Sequence, residues 1–243
     1  MRFPARKTKR LGFIVPSINV IAEDDFIAMA PPEVGVHFAR ADVDTTRTLE
    51  GQFEQMLDAA PSLAASLAKA GVQVCAFACT SASFFKGPGF DQTIAQAMRA
   101  ASGIECMTAS TAVLEALRAV RAQRIGLATP YVRWVVDAER QFLSEAGFDV
   151  VAANGLERRG GADINTIDDE TIHAQALEVA LPSIDTLFIS CTDLPSLALV
   201  EPLENSIGRL VLTSNQATFW ACARRAGLGP IARFGRLLHS HLS

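Results

Sequence analysis

The chain is poor in polar and reactive side chains. Its 243 residues include one tyrosine, two tryptophans and four histidines, and 20% of positions are charged. Apolar runs such as Leu11 to Pro16 and Val74 to Cys79 span about six residues, far below the roughly 18 of a membrane helix. No membrane association is expected. No G-x-x-x-x-G-K-S/T loop occurs, and no G-x-G-x-x-G follows a strand, so nucleotide binding is not indicated. A net charge of −4 and a pI near 5.6 argue against nucleic acid as a partner. With no histidine in a recognised pattern beside a candidate nucleophile, a Cys-His hydrolase is poorly supported.

Cysteine is scarce too. Cys75, Cys79, Cys106, Cys191 and Cys222 make an odd count at long, irregular spacings, which is no disulfide framework and points to a reducing cytoplasm. Cys75 and Cys79, if on one strand at roughly 3.3 Å per residue, stand about 13 Å apart and cannot share a metal. No metal and no cofactor is expected. The basic segment Met1 to Arg10 lacks a signal-peptide pattern and is read as a solvated or frayed arm.

What the chain does have is apolar residues: 49% of positions, with a mean hydropathy of +0.22. That is enough for a packed core, and it leaves room for a homo-oligomeric interface, dimer or tetramer. Short apolar strands are read at Leu11–Val15, Val72–Ala78, Arg124–Ala128, Thr186–Ser190 and Leu210–Thr213. Amphipathic helices alternate with them, such as Gln52 to Lys69 with Phe53, Met56, Leu57, Leu63 and Leu67 on one stripe and Pro61 bending it. Alternation of this kind specifies an α/β chain with mostly parallel sheets flanked by helices.

The chain also repeats itself. Arg10 to Ser17 (RLGFIVPS) echoes Arg124 to Tyr131 (RIGLATPY), and Ala78-Cys79-Thr80-Ser81 echoes Ser190-Cys191-Thr192-Asp193. The interval from Pro16 to Cys79 is 63 residues and that from Pro130 to Cys191 is 61. A weaker third pair sets Cys106 to Ala112 against Val211 to Ala217. Two pseudo-symmetric halves follow, residues 1–114 plus 212–243 and residues 115–211. In open α/β sheets, ligands sit beyond the carboxyl ends of strands. Halves that face one another would place Cys79 and Cys191 on opposite walls of one cleft.

Cys75, Cys106 and Cys222 read as packing residues. Cys79 and Cys191 each end an apolar strand and precede a Thr, so amides of a following helix can face the sulfur and lower its pKa. Two facing thiols suit chemistry at carbon, one as base or nucleophile and the other as acid. Ser17, Asn19, Thr80, Ser81, Tyr131, Thr192, Ser214 and Asn215 are the candidates for holding a small-molecule carboxylate substrate. Asp193 is read as the N-cap of a helix that has Pro195 in its first turn, or as an acid facing the Cys191 sulfur. The acidic run Ala22 to Asp25 reads as helix-start charge, and His239 and His241 as solvated terminal residues.

The segments Val15 to Asn19, Cys79 to Ser83, Thr129 to Tyr131, Ser190 to Thr192 and Thr213 to Trp220 together resemble the maleate cis-trans isomerases of the aspartate/glutamate racemase superfamily. That superfamily also holds arylmalonate decarboxylase and hydantoin racemase. The resemblance, running from about Arg10 to Gly227, implies two flavodoxin-like halves with the active site between them. It further implies that Cys79 adds to the double bond of maleate as a thiolate and that Cys191 donates and accepts the proton. Arylmalonate decarboxylase keeps only the second cysteine, so a pair favours isomerisation over decarboxylation. Asp193 and the stretch Arg158 to Asn165 depart from the maleate isomerase pattern; the family often carries a substrate-binding Asn in that stretch, and whether Asn165 is its counterpart is left open by the glycines between. Alternatives are a two-cysteine racemase or epimerase of an amino acid, a hydantoin or an ectoine-type breakdown intermediate, an arylmalonate-type decarboxylase, and a binding protein that has lost turnover.

Overall fold

The structure is a computed structural model that describes residues 7–242. Among the described residues, eight strands form two separate parallel sheets. The first sheet uses β1 (Lys9–Pro16), β2 (Val34–Ala41), β3 (Val74–Phe77) and β4 (Glu105–Thr108) in the order β2-β1-β3-β4. The second uses β5 (Arg124–Tyr131), β6 (Asp149–Arg158), β7 (Thr186–Ile189) and β8 (Leu210–Thr213) in the order β6-β5-β7-β8. The repeat is therefore architectural. Leu11 pairs with Val74 in one sheet as Ile125 pairs with Thr186 in the other.

The helices between the strands are α1 (Ile21–Met29), α2 (Leu49–Lys69), α3 (Thr80–Phe84), α4 (Phe90–Ser102) and α5 (Ala109–Ala119) in the first half. Then follow α6 (Arg133–Glu145), α7 (Ala162–Asn165), α8 (Asp169–Val179), α9 (Val200–Ile207), α10 (Ser214–Arg225) and α11 (Arg236–Ser240). Central strands are buried on both faces and read as continuous apolar runs, as parallel sheets require. Helix α2 buries Phe53, Met56, Ala60, Ala64 and Leu67 along one stripe and carries Pro61 in its interior. Among the described residues no helix is long and apolar enough to cross a membrane.

The weak third repeat proves to be a duplicated helix cap. Thr108 Oγ1 accepts from the Thr111 amide at 3.1 Å, and Thr213 Oγ1 accepts from the Gln216 amide at 3.1 Å. At α10 the Gln216 side chain accepts in turn from the Thr213 amide, closing a capping box. From the end of β8, α10 packs against α5 and α1 of the first half. Arg225 clamps Glu115 with two hydrogen bonds of 2.8 and 2.7 Å.

Several expectations are corrected. Strands β2 and β6, not among those read from the sequence, are edge strands with half-exposed residues such as His37 and Asn154 and the exposed Arg40, so polar residues interrupt their apolar runs. Residues 1–6 of the basic arm lie outside the described residues. Lys9 and Arg10, however, belong to β1, and the Lys9 ammonium donates to the carbonyls of Ala226 and Gly227. The C-terminal segment is docked rather than frayed: Leu237, Leu238 and Leu242 are buried and the Trp220 indole donates to the His241 carbonyl at 2.8 Å.

Matched glycines show how closely each crossover helix approaches its sheet. A Cβ on Gly126 would lie 2.3 Å from the carbonyl oxygen of Val179 at the end of α8. One on Gly12 would meet the Val72 Cγ1 methyl at 2.8 Å, just beyond α2. Backbone yields less than a side chain. Gly126→Ala is expected to cost about 2–3 kcal/mol in urea unfolding and Gly12→Ala distinctly less, because overpacking is costly where neighbours cannot turn away. Equal losses would contradict this.

Candidate active site

Cys79 and Cys191 line one cavity between the two halves, as do Asn19, Thr80, Ser81, Tyr131, Thr192 and Asp193. Cys79 leaves β3 with extended backbone (φ −140°, ψ 105°) and precedes α3, where the Ala82 amide and the Ser81 hydroxyl face its sulfur. The cavity encloses about 70 Å³. Sites for drug-sized ligands run to roughly 300–1,000 Å³, so this volume suits a substrate of a few carbon atoms.

The second cysteine is held differently. Cys191 has φ +108°, a region that a side chain rarely adopts. Its amide donates to Ser214 Oγ at 3.0 Å, and its sulfur accepts from the Asp193 amide at 3.4 Å. No helix opens here. Residues 193–196 are irregular, a short 3₁₀ turn covers Leu197–Leu199, and α9 begins only at Val200. Pro195 disfavours helical geometry at Leu194. Instead of capping its own segment, Asp193 reaches across the cleft: Oδ1 accepts from the amides of Val20 (3.0 Å) and Ile21 (3.5 Å) at the start of α1. Its Oδ2 accepts from Asn165 at 3.3 Å.

Three candidate ligand holders stand behind or beside the cavity. Ser17 Oγ accepts from the Val43 amide at 3.0 Å and faces an outer groove. Ser214 Oγ is taken by the Cys191 amide and by the Thr80 hydroxyl, the latter at 2.9 Å. Asn215 Nδ2 donates to the Thr192 carbonyl at 3.1 Å and to Asp25 at 2.7 Å. Asn19 does border the cavity, yet its Oδ1 caps α1 through the amides of Ile21 and Ala22. Its Nδ2 donates to Thr192 Oγ1 at 3.2 Å. Tyr131, buried at the end of β5, packs edge-on against Phe84 with ring centroids 6.5 Å apart.

Burial sets the electrostatics. It pushes the Cys79 thiol up to about 11 against the opposing pull of the Ala82 amide and Ser81. Burial and then the nearby Asp193 carboxylate raise Cys191 further, while the Tyr131 hydroxyl favours its thiolate. Burial likewise raises Tyr131 well above the ordinary phenol range. Asp193 is raised by burial to about 6, its amide and Asn165 partners opposing the shift. Both cysteines rest as thiols. Among the described residues no group of His, Cys, Asp and Glu side chains is arranged to hold a metal ion.

Residues outside the expected set complete the site. Ile18, Val43, Leu49, Phe53, Met56 and Ile164 give it an apolar wall, and Arg158 and Arg159 border it. Beneath Cys191, Glu139 is fully enclosed and accepts from Ser190 Oγ at 2.5 Å, its other oxygen having no partner. Burial raises its carboxyl to about 8. The signal for Glu139 was present in the sequence as an acid in the apolar stripe Val135, Val136, Phe142 and Leu143 of α6.

Residues 11–238 match the arylmalonate decarboxylase family. The chain is 33% identical over 239 residues to arylmalonate decarboxylase of Bordetella bronchiseptica, covering 95% of this chain and 96% of that one. It is 31% identical over 243 residues to maleate isomerase of Nocardia farcinica, covering 95% of each. Its fold superposes with a TM-score of 0.88, at 28% identity and over 95% of this chain and 98% of that one, on a Cys-to-Ser variant of the Nocardia farcinica maleate cis-trans isomerase with a covalently bound succinylcysteine intermediate.

Glu139 has a stability signature. Its folded value lies above the ordinary 4.5, so the folded state retains a proton that the unfolded chain releases between about pH 4.5 and pH 8. Stability from this group is full at low pH and is lost as pH rises through about 8, on the order of 5 kcal/mol in all. Glu139→Gln keeps the shape without the titration. Between about pH 5 and pH 9 the variant's melting temperature should fall much less than that of the wild type, and parallel pH profiles would contradict the assignment.

Proposed function

This chain belongs to the arylmalonate decarboxylase family, and from that membership and its facing cysteines we propose that it isomerises a small dicarboxylate without a cofactor, converting maleate to fumarate. It is an isomerase, similar in sequence and fold to the maleate cis-trans isomerases. The observation that carries the specific reading is the presence of Cys79 and Cys191 in the wall of one small cavity.

In this reading Cys79, as a thiolate, attacks one olefinic carbon of maleate. A C–S bond forms, the carbon–carbon double bond becomes single, and the electron pair moves into the neighbouring carboxylate as an enediolate. The Cys191 thiol protonates the carbon that bears the charge, which leaves a succinyl thioether. Rotation about the new single bond turns the carboxylates apart. Cys191 then takes the proton back, the C–S bond breaks, and fumarate leaves with Cys79 again a thiolate. Ser81 and Tyr131 offer hydroxyl donors, and Thr80, Ser81 and Thr192 offer backbone amides, to the carboxylate oxygens and to the developing enediolate, the Thr80 and Thr192 hydroxyls being taken by Ser214 and the Ala78 carbonyl. Ser214 and Asn215 act one layer back, by holding the Cys191 amide and the Thr192 carbonyl.

The apolar wall of Leu49, Phe53, Met56 and Ile164 favours a second reading. Two thiols on opposite faces of a carbon that bears an apolar group would exchange its proton, as in a racemase or epimerase. Reaction in deuterium oxide separates the two. Deuterium entering a stereocentre of a saturated acid, with maleate unconverted, would favour racemisation.

Purified protein is expected to convert maleate to fumarate, and Cys79→Ser should lower the rate by about 10³-fold or more. Because the resting thiol ionises only near about 11, the rate should climb with pH above neutrality, by up to about tenfold per unit. Maleate left unchanged by the reduced wild-type protein would overturn the maleate assignment, and a flat profile from about pH 7 to pH 9 would contradict the thiolate step.

A further inference from the structure

The buried end of the cavity carries hydrogen-bond donors but no cation, since Thr80, Ser81, Tyr131 and Thr192 are neutral groups. Three charged residues border the cavity: Asp193, Arg158 and Arg159. Asp193 is engaged at both oxygens, by the amides of Val20 and Ile21 and by Asn165. Arg158 pairs with Asp163 at 3.3 Å. Asp163 Oδ2 accepts from the backbone amide of Arg159 at 2.9 Å and so pins the loop without touching the Arg159 guanidinium. Among the described residues that guanidinium has no ion-pair partner.

The position of Arg159 is a rim. It borders both the cysteine cavity and the wider groove outside, where Asp137 pairs with Arg133 at 3.0 Å and Glu157 accepts from the Arg133 amide at 3.3 Å. The loop then turns through Gly160 (φ +138°) and Gly161 (φ +55°), over Ile18 of the opposite half. A Cβ on Gly161 would stand 3.6 Å from the Ile18 Cδ1 methyl, so the loop roofs the cleft in contact with the other half. Much of the remaining wall is apolar, and a charged group left there without a partner would be costly.

We propose that Arg159 is a specificity-determining residue that holds an outward-facing carboxylate of the substrate at the cavity mouth, so that the site selects diacids over monoacids. This rests on the reading of the site as one that places a substrate carboxylate among the inner donors. The planar guanidinium offers paired N–H donors that match a carboxylate, and its charge draws anions to the entrance. A monoacid would use the inner donors and leave Arg159 to water.

The test uses succinate, a saturated diacid, and butyrate, a monoacid of the same chain length, with calorimetry at low salt. Wild type should bind succinate about 10- to 100-fold more tightly than Arg159→Gln does, the range expected for one charge-assisted contact. Butyrate affinity should be the same in both. Arg159→Lys should recover part of the loss, and the effect on maleate should fall mainly on KM rather than kcat. Equal succinate binding by wild type and Arg159→Gln, parallel loss of succinate and butyrate, or no succinate binding by wild type would each overturn the assignment. Succinate selectivity that depends on Arg159 in a protein that leaves maleate unchanged would sink the maleate reading and support the Arg159 subsite. Maleate turnover with Arg159-independent succinate binding would do the reverse.

Discussion

Thr192 is the hinge pin between the two walls. Its hydroxyl donates to the carbonyl of Ala78 at 2.9 Å, which ties the residue after Cys191 to the residue before Cys79. The same oxygen accepts from Asn19, and the Thr192 carbonyl accepts from Asn215. Because these groups are buried, leaving any one unpaired would cost about 1–3 kcal/mol, so the bonds hold the halves in one relative position. Thr80 on Ser214 and Asp193 on the start of α1 extend the same seam. The strained backbone at Cys191 is affordable in this setting, since its amide is bound by Ser214 and its neighbours on both sides are held.

That seam encloses a region in which charge is suppressed. Both site thiols rest protonated and burial raises Asp25 and Glu139 to about 7 and 8, while Asp193, raised to about 6, keeps a charge at neutral pH that the Val20 and Ile21 amides and Asn165 hold. A fixed thiolate facing a dianionic substrate would repel it. With both sulfurs resting as thiols the substrate enters without that repulsion, the attacking Cys79 thiolate is the minor form whose proton has gone to water, and protein dipoles at Thr80, Ser81 and Thr192 can then receive the charge that moves into the carboxylate. Arg159, exposed to water, borders both the cavity and the outer groove.

Much of this arrangement is legible in the residues themselves. The paired strand and Cys-Thr segments locate the central strands and both site cysteines, and the weaker third pair marks the places where the structure forms helix caps at Thr108 and Thr213. What escaped was of two kinds. Strands β2 and β6 carry polar edges and so leave no apolar run to detect. Asp193, Asn215 and Thr80 are committed to partners more than 100 residues away, and local sequence does not announce those contacts. Asp193 shows the difficulty. Followed by Pro195, it has the local pattern of an N-cap, but it caps the helix of the opposite half. Glu139 is the contrary case, an acid inside an apolar helical stripe, whose burial the periodicity alone implies.

The central claim is that Cys79 bonds to the substrate while Cys191 moves the proton. Cys191→Ser protein, mixed with maleate, quenched with acid and analysed by intact mass and peptide mapping, tests it most directly. The expected result is a mass gain of one maleate, located on Cys79, with water supplying the proton to the charged carbon and no Cys191 thiolate present to take it back. An adduct located on another cysteine, or unlabelled Cys79 in a variant that still converts maleate, would contradict it.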